Sequence, residues 1–207
     1  MSIFTNSPLD DPKDTHDSIK WFIDSNKLLT KYKHNGHVYR LNKRPDNSHY
    51  LKLFEYITKE TKKMMKILLK DTHKHPKIRN EIALFNSVPF TFSEMPLSNQ
   101  MFNGLCMPHG RYIDPNGPSI GLDKNMRCLY REIFIKITQN NPEELKRLLQ
   151  HEMSHFLASH IQFRTAGNHA SDFKRAEKIL KGIVKEHGIY KDLNYYLNKI
   201  KNSTNLK

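Results

Sequence analysis

At 207 residues and 24.5 kDa the chain is sized for one domain with a substantial core, and 37% hydrophobic with 10% aromatic residues excludes a disordered polypeptide. Lys and Arg total 34 against 21 Asp and Glu, so the formal net charge of +13 and a pI near 9.6 predict attraction to polyanions such as nucleic acid. Two cysteines, Cys106 and Cys128, exclude a disulfide scaffold, no apolar run approaches the roughly 20 residues that span a bilayer, and MSIFTNSPLDDPKDTHD lacks the apolar core of a signal or transit peptide. An intracellular protein, not secreted and with no membrane partner, is expected, in nucleus or cytoplasm alike.

In chain order, residues 1–16 read as a flexible arm and Asp17–Thr30 as a short helix with Ile19, Trp21, Phe22, Ile23, Leu28 and Leu29 as its apolar positions. His34–Leu41 carries a turn signal followed by strand formers and reads as a small extended piece. Asn47–Lys70 is strongly helical: Leu53, Phe54, Ile57, Met64 and Leu68 share one side at 100° per residue, and Lys59, Lys62, Lys63, Lys66 and Lys70 share the other. Asp71–Pro76 breaks that helix, and Ile78–Phe85 forms a short one before Pro89 and Pro96.

Residues 97–123 are punctuated by Pro108, Gly110, Pro115, Gly117 and Pro118, and read as a small antiparallel sheet built from Phe102–Met107, Arg111–Ile113 and Ser119–Asp123. Leu129–Thr138 fits a helix or a strand. Asn140, Asn141 and Pro142, followed by Glu143 and Glu144, start a helix that should reach about Ile161. A second helix begins near Ser171, carries Phe173, Ala176, Leu180, Ile183 and Val184, and stops at Gly188. Around Leu193, Tyr196, Leu197 and Ile200 a last helix is expected. The organisation that follows is an arm (1–16), a single domain (17–188) and a basic tail (189–207), monomeric by default.

The first of these later helices contains His151-Glu152-Met153-Ser154-His155, an H-E-x-x-H pattern. Histidines four apart on a helix lie about 6 Å apart at Cβ on one side, so both imidazoles reach one zinc ion. Glu152, one step round, lies where a general base takes a proton from water and returns it to the leaving amine. Chance places the pentapeptide in roughly one chain in thirty of this composition, so context decides. His151 and His155 border the apolar stripe of Leu145, Leu148, Leu149, Met153, Phe156 and Leu157, as suits a cleft. His160 falls on the stripe itself, away from both. His169, after the loop from Gln162 to Asn168, is the better third ligand, with Glu177 in the following helix as the other candidate.

Gly167-Asn168-His169-Ala170-Ser171-Asp172-Phe173 has the form G-x-H-x-x-x-F and follows HEMSH, which resembles the WLM metalloproteases and their SprT-like (Spartan-like) relatives. The resemblance covers about residues 100–185 and leaves the branch open, the spacing from His155 to His169 standing nearer the SprT-like one. It implies His151, His155 and His169 as the zinc ligands, one Zn2+ per chain, Glu152 as the catalytic glutamate and Phe173 as a supporting core residue. It also implies an α+β, zincin-like minimal metalloprotease fold, the zinc helix packed on a small antiparallel sheet and the remainder mostly helical. We expect the sheet's edge strand at Ser119–Asp123.

Members of that group cleave proteins covalently attached to DNA, implying a zinc-dependent endopeptidase with a protein substrate and with DNA as platform or activator. The Lys59–Lys70 stripe is the expected phosphate contact. Two alternatives remain: a zinc peptidase with an unrelated protein substrate, and a basic nucleic-acid-binding protein with a non-catalytic zinc site. An intact Glu152 speaks against the last, since a structural site needs the histidines but not that carboxylate.

Overall fold

Asn35 and Gly36, with φ of 46° and 76°, turn the chain sharply between β1 (Leu29–His34) and β2 (His37–Asn42), whose register pairs His34 with His37. A two-residue loop with both φ positive matches the right-handed twist of the flanking strands, and Asn-Gly is the pair that tolerates it. The structure, a computed structural model, describes residues 27–99, 103–112, 126–137, 141–158 and 171–204. The expected helix over Asp17–Thr30 is corrected at its end: Leu29 and Thr30 are strand. Their side chains join an alternating LTKYKH segment whose ladder with β2 outweighs the helical spacing of Leu28 and Leu29. The arm and the start of that helix lie outside the described residues.

α1 (Ser48–Lys70) is the longest element, 23 residues free of Gly and Pro. Its buried side includes Leu53, Phe54, Ile57, Met64 and Leu68, as the apolar spacing requires. Two 3-10 turns at Asp71–Lys74 and Pro76–Ile78 lead into α2 (Arg79–Ser87). β3 (Phe90–Glu94) then enters the sheet, followed by β4 (Gly104–Tyr112) and β5 (Met126–Ile135), so the segment that fits a helix or a strand is strand as far as Ile135.

Among the described residues the sheet has five strands in the order β1-β2-β3-β5-β4. β1–β2 and β5–β4 are antiparallel, whereas β2–β3 and β3–β5 are parallel. The fold is therefore α+β around a mixed sheet rather than a small antiparallel one. α1 and α2 fill the chain between β2 and β3 and allow the crossover that a parallel pair requires. Register fixes the faces. Arg40 opposes Ser93 and Ser93 opposes Phe134, so Tyr39, Leu41, Phe92, Ile133 and Ile135 point to the other side, where all five are buried in one core with α1 and α3. On β4, Gly104 opposes Ile135 and Cys106 opposes Ile133, so both belong to that helix-facing side.

α3 (Pro142–Ala158) starts as its sequence dictates: the Asn141 side chain accepts the Glu144 N–H at 3.0 Å, and Pro142 occupies the first helical position. α4 (Ser171–Glu186) packs against α3 and ends at Gly188, φ 60°. Ile189, Tyr190, Leu193, Leu197 and Ile200 then bury themselves in the common core, so the segment expected as a basic tail carries α5 (Leu193–Thr204) against α1. The Tyr190 hydroxyl meets Thr61 Oγ1 at 2.6 Å, and the Asp192 N–H donates to the Tyr56 hydroxyl at 2.9 Å. Among the described residues no helix is long and apolar enough to cross a membrane.

Candidate active site

α3 presents His151 and His155 half-buried on one side while Leu148, Leu149, Met153, Phe156 and Leu157 are buried, so the two histidines border the apolar stripe as their spacing predicts. Their Nε2 atoms are 3.2 Å apart and their rings meet edge to face, with centroids 4.8 Å apart. Two nitrogens each about 2.05 Å from a tetrahedral ion would stand about 3.3 Å apart, so this pair fits two zinc ligands.

Phe173, in the first turn of α4, lies against both rings, with its centroid 5.1 Å from that of His151 and 4.5 Å from that of His155. The packing of α4 on α3 thus holds the imidazoles together from one side. His169 and His160 lie outside the described residues. Among the described residues no group of three His, Cys, Asp or Glu side chains is placed to hold a metal, and Glu177 is engaged by Lys181 at 3.0 Å.

Glu152 is buried between α3 and β4. Burial pushes its carboxyl up to about 8, opposed by the Cys106 backbone N–H, which donates to the carboxylate. Among the described residues that strand is the sheet's edge by strand order. The expected edge at Ser119–Asp123 lies outside the described residues; the strand seated beside Glu152 is β4.

Sequence reasoning missed β4's part in this seat. Its signal was Gly104, a glycine inside a strand, which marks a close approach by another group. Cys106 packs half-buried against the core. Beneath it, Arg131 extends from β5 towards α3: its guanidinium lies 4.9 Å from the Phe156 ring centroid, and Nη1 is 4.0 Å from Cys106 Sγ.

Lys59, Lys62, Lys63, Lys66 and Lys70 are all exposed along α1, and Lys62 Nζ reaches His37 Nε2 of the β1–β2 hairpin at 3.2 Å. Comparison with protein-family models, with curated proteins and with solved structures finds no match.

Proposed function

We propose that the chain is a zinc-dependent endopeptidase with a zincin-like fold, acting on proteins bound or crosslinked to DNA. One observation carries the catalytic half: two imidazole nitrogens 3.2 Å apart on α3, with Glu152 adjacent in sequence and buried against the edge strand. His151 and His155 would hold the ion, and His169 is proposed as the third ligand. When bound, zinc supplies Lewis acidity that polarises a carbonyl and acidifies water. Glu152 would accept the proton of the attacking water on its carboxylate and deliver it to the departing amine nitrogen, while Cys106 N–H keeps the carboxylate in place. β4, outermost among the described strands, would offer main-chain groups to an extended polypeptide, which orients the substrate with little demand on its side chains.

The DNA half rests on the charge of +13 and on the exposed lysine strip of α1. A polyanion held there would concentrate bound protein near the site without changing its chemistry. Cleavage of one protein, free and crosslinked to DNA, by the zinc-loaded chain tests both halves. The expected result is faster cleavage of the crosslinked form, with the advantage lost on Lys59→Gln/Lys63→Gln/Lys66→Gln and the free form cut as before. Three lost phosphate contacts should also lower the log–log salt slope of DNA binding by roughly 2 to 3. Equal cleavage of the two forms would remove DNA from the function, and no cleavage of either would remove the peptidase.

A further inference from the structure

Gly104 stands on the helix-facing side of β4, opposite Ile135 and directly against Glu152. A Cβ built there would lie 2.5 Å from Glu152 Oε1 and 2.8 Å from both its Cδ and its Cγ. No ordinary nonbonded contact is that short, and because Cγ is involved, rotating the carboxylate alone does not relieve it. Glu152 is buried, so the whole side chain would have to leave its seat and give up the Cys106 N–H.

The backbone does not demand glycine. Gly36 and Gly188 have positive φ, but Gly104 lies outside that left-handed region, so its conformation is open to any residue. Glycine also weakens a strand interior. What it provides at this position is room. We propose that Gly104 is the positioning residue for Glu152: the missing side chain lets the carboxylate rest against β4, where Cys106 N–H holds it. For its effect on turnover this rests on the peptidase reading; for its effect on stability it rests on geometry alone.

The two are separated by a double-mutant cycle on the full chain, comparing wild type, Gly104→Ala, Glu152→Ala and the double variant. Melting of the metal-free proteins should show Gly104→Ala lowering Tm by roughly 5 °C beside an intact Glu152 and by less than about 1 °C beside Ala, as overpacking relieved by truncation predicts. In the zinc-loaded single variant, zinc content should be unchanged, kcat should fall by about 10-fold or more, and KM should stay within about two-fold, because the base has moved while the ligands have not.

If Gly104→Ala does not fold but the double variant does, the clash with Glu152 is equally established. Equal melting costs in both backgrounds, failure of both to fold, or an unchanged kcat would overturn the proposal. Coupled melting in a chain that cleaves nothing would uphold the seat and overturn the peptidase reading instead.

Discussion

Among the described residues three carboxylates are almost wholly buried, yet they are housed in opposite ways. Glu94 and Glu132, on β3 and β5, are 2% and 1% exposed, and each faces an arginine. Arg44 grips Glu94 with both guanidinium nitrogens, one at 2.7 Å from Oε2, and the Asn42 N–H adds a third bond. Glu132 takes Ser93 Oγ at 2.6 Å and lies 3.3 Å from Arg40. Glu152 is 4% exposed, and among the described residues the Cys106 N–H, not a cation, opposes its desolvation.

A buried carboxylate with a guanidinium beside it has its charge balanced and ties strands together. One without a cation is driven towards the protonated form. Such an arrangement costs stability and recurs where a group must take up and release protons. The seam between α3 and β4 is where we propose the chemistry to lie, whereas the ion pairs of β3 and β5 join elements of the fold.

The widest contrast should appear in activity. Glu152→Gln keeps the shape of the side chain but removes the base, so cleavage should fall by about 10^3-fold. Tm should be no lower than in wild type, because no ion pair is lost. A melting point well below wild type would place Glu152 with the structural pairs and break the comparison.

Arg44→Met should behave in the reverse way. Leaving Glu94 buried without its cation should cost about 3 kcal/mol in urea unfolding, and adding Glu94→Met should recover most of that loss. Zinc content should not change in either variant.

The histidine pair was legible because it needed only one helix. H-E-x-x-H, the Asn141 cap and the flanking apolar stripe all lie within residues 141–157, and local periodicity suffices to put both imidazoles on one side. α1 was equally plain, and so were α4 and α5, with Gly188 between them.

The sheet was not. β3 has only five residues, FTFSE, between Pro89 and Pro96, and both its partners run parallel to it from distant parts of the chain, so no hairpin turn announces it. The seat of Glu152 was hidden for the same reason: Gly104 and Glu152 meet only once β4 has docked on α3.

The smallest effect belongs to a fourth carboxylate. Glu55 sits near the surface with Asn35 Nδ2 and His34 Nε2 on its oxygens, and the Asn35 hydrogen bond, helped by His34, holds its carboxyl below the ordinary 4.5. A depressed value means the unfolded chain binds the proton more readily. The contribution is therefore full above the unfolded value and is lost as pH falls through the lowered one. Glu55→Gln should lower the neutral plateau of Tm slightly and leave the acid end almost unmoved, so that the acid limb flattens; an unchanged limb would show that the cluster adds nothing.

The central claim is that α3 holds a catalytic zinc ion, and the metal content of the full chain tests it most directly. After loading with zinc and exhaustive dialysis, wild type should retain one zinc per chain. His151→Ala and His169→Ala should lose it and Glu177→Ala should keep it. A wild-type chain that retains no zinc, or a His151→Ala variant that retains a full equivalent, would contradict the account.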